Sequence, residues 1–405
     1  MAFIHECHFI YPMMRYLIWI SIFTLFGCHK KNADNNASKK INISLRESRE
    51  GLLSDVFDSI QYTLLDDDDS IPLVQPYKII YSGNNIYVED NFTSNVHIFR
   101  KDGNISKVIE AKGKGPGEYF QLDFFQIKTD TIFILDRSLR KILSFNIHGD
   151  FISEEKIANN ASGFFKYKDR ILFFMNNNID KTPYNFILKE KENVLAAYSP
   201  FNPEFLEFHF GMKNGFTESN DGMIFHTLPL SSSVYFFNTD LSLNKIVNFD
   251  LGETAVDEIF ISEHGSINSD SYMNDLNEKR MVQDISSFFK LGNYYFLSFY
   301  QYGKGIHYII LNKDLKLISQ NITFENDIDG MKIRNIPWTF DDNKIVIKMN
   351  SIDFYYDYLE KFSDKDLSVR DGSLHDFFEK TKTKLQDDQT VLVSMTLRND
   401  LGNNK

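Results

Sequence analysis

The chain has 405 residues, with 44 Lys plus Arg against 56 Asp plus Glu for a net charge of −12, and 38 Phe, 20 Tyr and 2 Trp that make it 15% aromatic. An aromatic content this high excludes a disordered chain, and the length buries a sizeable core. The acidic balance argues against a nucleic-acid binder, and two cysteines exclude a disulfide framework or a Cys-rich zinc site.

The N-terminus reads as an address. Arg15 is the only Lys or Arg before position 28, and the apolar run Tyr16 to Phe26 that follows it is too short to span a bilayer. The run ends in Leu25-Phe26-Gly27-Cys28. That tetrapeptide resembles a bacterial lipobox, in which a small residue precedes the cysteine that is lipidated. Residues 1–27 are therefore expected to be a signal peptide and residues 28–42 a lipidated, flexible tether. The membrane is the expected partner, reached through Cys28. Cleavage would remove Arg15, Glu6 and Cys7, which leaves the charge unchanged and the mature domain without a free thiol. The first twelve residues do not resemble a signal n-region, so Met13 or Met14 is the expected start. The basic His29-Lys30-Lys31 favours a periplasm-facing location in the cell envelope over the cell surface.

From residue 43 the sequence repeats. An apolar stretch, a polar turn and a strong strand recur, with the strands anchored at Ile86, Ile132, Ile171, Ile224, Tyr295 and Ile345. The spacings are 46, 39, 53, 71 and 50 residues, near the length of a four-stranded propeller blade. Turns such as Gly83-Asn84, Thr129-Asp130 and Gly292-Asn293 sit between β-branched and aromatic runs, which is hairpin chemistry. Helical periodicity is confined to Tyr272–Asp284 and His375–Gln386. A strand-like segment precedes the first unit (Val56 to Leu65) and another follows the last (Val391 to Leu397). The fold class is thus all-β, a six-bladed β-propeller of four-stranded antiparallel blades closed by pairing the N- and C-terminal strands. It occupies residues 43–400 as a single domain, with 401–405 as a tail. Most Phe and Tyr are then expected between blades.

After the first unit comes Gly113-Lys114-Gly115-Pro116-Gly117-Glu118-Tyr119. Three Gly and one Pro in five residues preset a tight backbone path. The spacing fits neither a P-loop nor a dinucleotide loop. The segment is expected to be a blade-to-blade crossover near the axis with Glu118 capping exposed amides, or a ligand contact at the pore mouth. The motif resembles the Gly-Arg/Lys-Gly-Pro-Gly-Glu-aromatic signature of six-bladed β-propeller lipoproteins of Bacteroidota, a family related in fold to NHL-type propellers. The resemblance implies a fold and a compartment but no reaction.

Chemistry is sparse. There is no His-Glu-x-x-His, no Gly-x-Ser-x-Gly and no sialidase Asp box. The run Asp66-Asp67-Asp68-Asp69 and the group Glu325, Asp327, Asp329, Gly330 lack the ligand spacing of a calcium loop, with Ile336 at the twelfth position, and are expected to be turns. No catalytic residue, metal ligand or cofactor is expected, with a divalent cation such as Ca²⁺ as the minor alternative. The polar insertion Gly252 to Ser287, carrying Glu263 and His264, is the expected lid or partner loop. The expected function is a binding or scaffold module for a protein, peptide or glycan. A metal-dependent hydrolase or lactonase with its site at the axial channel is the alternative.

Overall fold

The computed structural model describes residues 38–66, 70–178, 183–201, 215–264, 269–333, 335–365 and 367–402. Cys28, the tether up to residue 37, Asp67 to Asp69 and residues 403–405 lie outside them.

Six sheets follow one another along the chain. Blade one is β4 (Pro76–Ser82), β5 (Asn85–Asp90), β6 (Asn95–Arg100) and β7 (Ile105–Ile109). Blade two is β8 (Phe124–Lys128), β9 (Thr131–Asp136), β10 (Lys141–Asn146) and β11 (Phe151–Lys156). Blade three is β12 (Gly163–Tyr167), β13 (Arg170–Phe174), β14 (Tyr184–Glu190) and β15 (Asn193–Pro200). Blade four is β16 (Phe216–Glu218), β17 (Ile224–Thr227), β18 (Ser233–Phe237) and β19 (Leu243–Asp250). Blade five is β20 (Val282–Leu291), β21 (Tyr294–Gln301), β22 (Gly305–Asn312) and β23 (Leu317–Glu325). Blade six is β24 (Thr339–Asp341), β25 (Lys344–Asn350), β26 (Thr390–Leu397) and, from the other end of the chain, β3 (Phe57–Leu65). The molecule is a six-bladed β-propeller, and the six anchor residues read from the sequence all fall on the second strand of a blade.

Closure follows the expected scheme. β26 and β3 pair antiparallel from Thr390 opposite Leu65 to Leu397 opposite Phe57. The seam between blades six and one is then filled by Leu65, Leu73, Ile79, Ile86, Val88, Phe99, Val346 and Leu392. Comparable apolar clusters join each remaining pair of neighbours. Aromatic rings bridge them: Phe124 to Phe164 at 5.7 Å, Phe225 to Phe288 at 5.4 Å and Phe289 to Phe340 at 5.2 Å between centroids. Large flat side chains fill the wedge between twisted sheets, so the aromatic wealth is mainly packing material. Outer strands are polar by contrast, as in the largely exposed β11.

The N-terminal segment departs from the expected plan. Residues 38–42, read as the end of the tether, form β1 (Ser38–Asn42), which runs parallel to β19 on the outer edge of blade four. β2 (Arg49–Leu52) then lies parallel to β23 on blade five before β3 completes blade six. The cause is local: Ile43 and Leu45 are buried, and edge strands offer unpaired backbone groups that the strap satisfies. Lys40 pairs with Asp250 at 2.7 Å and Ser48 Oγ meets His307 Nδ1 at 2.6 Å, tying the strap further.

Two helical insertions leave the strand ends opposite the turns that join first and second strands. α1 (Glu258–His264) and α2 (Asp270–Glu278) lie between blades four and five. α3 (Ser351–Phe362) and α4 (Leu374–Thr381) lie within blade six, between β25 and β26. The helices expected over Tyr272–Asp284 and His375–Gln386 correspond to α2 and α4, each beginning earlier in the chain. Each is started by a serine, Ser269 or Ser373, whose side chain accepts an amide of the first turn. α3 has no counterpart in the sequence reading. Among the described residues, no helix is long and apolar enough to cross a membrane.

Candidate functional site: the axial cavity

The first strands of all six blades line one cavity of about 430 Å³ on the propeller axis. β4 supplies Lys78 to Ser82, β8 Phe124, Gln126 and Ile127, and β12 Phe165. β16 supplies Phe216 to Glu218, β20 Phe289, and β24 Thr339 to Asp341. Gly83, Asn220 and Asp342, in the turns after β4, β16 and β24, form its mouth. The volume is that of a small-molecule site.

Position along each first strand grades the chemistry. Near the mouth the charged side chains are held by polar partners. Lys128 binds Glu218, Lys101 Nζ donates to both oxygens of Asp341 at 3.0 Å, Asn220 Nδ2 donates to Asp342 Oδ1 at 2.5 Å, and Lys290 binds Asp221. Gln126 is held by blade three, donating to Lys166 O at 3.2 Å and accepting from Lys166 N at 2.8 Å. Toward the start of the strands the wall turns aromatic, with Phe124 and Phe216 opening β8 and β16.

One cation sits in this apolar part. Lys78 is 5% exposed, and its Nζ lies 3.3 Å from the centroid of Phe124 and 5.5 Å from that of Phe125. Burial holds its pKa far below the ordinary lysine range, an effect the negative charge of Glu89 partly offsets. Glu89, on β5 one strand further out, is pushed up by burial and by Asp123 and Asp90, while Lys78 pulls it down. The two groups make no ion pair within 4.0 Å. Next to them His226 is enclosed by Phe174, Phe216 and Phe186 at 4.3, 4.5 and 5.1 Å, and burial depresses its pKa to about 3.

The sequence-predicted residues lie elsewhere. Gly113 to Glu118 do not line the cavity. The loop is pinned over the outer half of blade two: Lys141 Nζ donates to Gly115 O at 3.1 Å and to Glu154 Oε2 at 2.8 Å, and Gly117 N donates to the same oxygen at 3.1 Å. The crossover is therefore not near the axis, because its anchors belong to the third and fourth strands. Glu118 does fold back to cap an amide, accepting from Gly115 N at 2.8 Å. Lys114 faces Phe120, its Nζ 5.0 Å from the ring, and Pro116 continues the loop.

Glu263 and His264 end α1. His264 is held inside its own insertion, with Nδ1 2.6 Å from Phe260 O and Nε2 3.2 Å from Asp275 Oδ2. The insertion closes over a separate small core of Leu230, Val256, Phe260, Ile261, Tyr272, Leu276 and Met281, and none of its residues lines the axial cavity. Asp327 accepts from Ser54 and Asp329 from Tyr62, so this acidic stretch works as a turn clamp. Among the described residues, no three His, Cys, Asp or Glu side chains are grouped to hold a metal ion. Sequence reasoning did not find Lys78. Its only signal is a lysine inside the apolar first strand Tyr77-Lys78-Ile79-Ile80-Tyr81.

A six-bladed propeller with a cavity on its axis defines an architecture rather than a reaction. Residues 30–348 match the family described as DUF5128, 6-bladed beta-propeller, and the chain belongs to that family. A Bacteroides fragilis protein assigned as exported has a similar structure, with a TM-score of 0.67 at 15% identity over 89% of this chain and 100% of that one. A DUF4221 member from Bacteroides vulgatus gives 0.47 at 14% identity over 85% and 97%. Virginiamycin B lyase from Staphylococcus aureus gives 0.34 at 14% over 71% and 94%, too weak a likeness to bring an activity with it. No curated protein sequence matches the chain.

Proposed function

We propose that this protein is a lipid-anchored, cell-envelope propeller that binds a small ligand in its axial cavity. The observation that carries the reading is the cavity itself, about 430 Å³ and built from the first strands of all six blades with one buried cation in an aromatic wall. Binding is favoured over metal-dependent hydrolysis because the acidic side chains on the wall are engaged by Lys128, Lys101 and Asn220. A thermal-shift screen of the purified chain against small envelope metabolites, with each hit mapped by hydrogen–deuterium exchange, tests the reading. Hits whose footprint falls on the first strands support it, and hits whose footprint falls on the helical insertions would sink it.

The anchor is supported by Gly27-Cys28 after a short apolar run. The strap reinforces it mechanically, since three successive strands fasten the segment that follows the tether to blades four, five and six. Cys28→Ala should move the protein from the membrane to the soluble fraction and abolish labelling by a palmitate analogue. Unchanged membrane association would contradict the anchor.

A further inference from the structure

The chemistry of the wall narrows the ligand class, and this inference rests on the axial reading above. The amide and carboxylates near the mouth each already hold a protein partner. Gln126 is used in both directions by Lys166, and Glu218, Asp341 and Asp342 each hold a partner. Lys78 differs. Among the described residues its ammonium has aromatic neighbours but no hydrogen-bond acceptor, although it is 95% buried, being 5% exposed. The Nζ is not among the sealed polar atoms and opens on the cavity, and a ligand that supplies an acceptor there recovers part of the desolvation cost of this mostly buried lysine as affinity.

We infer that the axial cavity takes a small organic acid with a flat apolar body, its carboxylate on Lys78 Nζ and its ring among Phe124, Phe165 and Phe216. A cationic ligand would meet the like charge of Lys78. A sugar would need donors and acceptors beside Lys78, where the side chains of Ile79, Phe124, Phe165 and Phe216 supply none. Glu89 offsets part of the Lys78 charge from a distance, but it stands on the second strand, off the cavity wall, and makes no ion pair within 4.0 Å, so it does not fill the place of a hydrogen-bonded anion. The rings make offset or edge contacts with a flat ligand at little entropic cost. The cavity volume suits one ring and a short acidic arm.

The test is calorimetric titration of the purified chain with phenylacetate, 3-phenylpropionate, 4-hydroxybenzoate and indole-3-acetate, each beside its carboxamide and with phenylethylamine as the cation. At least one acid should bind tenfold or more tighter than its amide. Lys78→Met should erase that preference and Lys78→Arg should keep part of it. The acid–amide comparison on the unaltered chain stands even if a variant fails to fold. Acids and amides binding alike, a preference that survives in Lys78→Met, or no binding by any acid up to millimolar concentration would each overturn the inference. Amides or the amine binding with a footprint on the first strands would leave the axial site standing while removing its acid preference.

Discussion

The ammonium of Lys78 lies 3.3 Å from the centre of the Phe124 ring, one blade away, inside a wall of aromatic, aliphatic and polar side chains. A cation–π contact of this kind returns only part of the hydration that a buried lysine gives up. The contact therefore marks a place where the fold is less stable than it needs to be.

The pair Lys78 and Glu89 should give stability an unusual pH profile. Glu89 is raised to about 7 in the fold, so between its unfolded value and neutrality the native state holds the extra proton and stability falls as pH rises. Lys78 is lowered to about 7, so above neutrality the unfolded chain holds the extra proton and stability rises again. The pair alone gives a minimum near pH 7, but between about pH 4.5 and 6.5 His226 opposes the Glu89 limb, so the alkaline rise from Lys78 is the limb that shows. Denaturant midpoints from pH 5 to 10 check this. Lys78→Met should remove the alkaline rise and stabilise the protein at pH 7.

His226 sets the acid side. Its pKa falls to about 3 because burial among phenylalanines disfavours the imidazolium, a tendency Lys78 adds to. Between about 3 and the ordinary histidine value the unfolded chain binds a proton that the fold does not, so this contribution is complete above pH 6.5 and is lost as pH falls. At about 1.4 kcal/mol per pKa unit the full effect is roughly 3–5 kcal/mol. This runs against the Glu89 contribution, so His226→Leu should leave that limb unopposed and make stability climb as pH falls from 6.5 to about 5, measured by urea unfolding.

How much of this was legible depends on range. The blade count was, because Ile86, Ile132 and their counterparts sit in hairpins whose turn residues signal themselves locally. Closure by Val391 to Leu397 was legible too, since a ring needs a last partner. The helix Ser351–Phe362 was not, because its Phe, Tyr and Leu residues resemble another strand. Only Asn350, which accepts the amides of Ile352 and Asp353, marks its start. Lys78 was invisible for a different reason: its burial arises from Phe124 and the other first strands, which are brought together only when the ring closes. The strap was hidden because four- and five-residue strands on another element's edge leave almost no pattern.

The strap predicts a graded truncation series. Removing residues 1–52 strips β1 and β2 and should lower the melting temperature while leaving the β-rich circular dichroism. Removing residues 1–65 also takes β3, the outer strand of the closing blade, and should abolish the cooperative transition. Leu45→Ala, which empties a buried site, should cost about 2–4 kcal/mol in denaturant unfolding.

The glycine motif predicts a contrast. Gly117 has φ 75°, and a Cβ there would stand 3.2 Å from the Phe151 ring, whereas Gly292 has φ 55° with open space around it. Gly117→Ala should cost roughly 1–3 kcal/mol, and Gly292→Ala less. Thermal unfolding of the two variants side by side checks it, and equal losses would mean that the contact with Phe151 adds nothing.

The central claim is that the axial cavity is where this protein meets its ligand. Hydrogen–deuterium exchange of the purified chain, with and without the tightest ligand found by screening, tests it most directly. Slowed exchange is expected in 76–85, 124–128, 216–223 and 339–343, first strands and their turns, with little change in 258–264 and 269–278. Protection confined to the helical insertions, with the first strands unaffected, would contradict it.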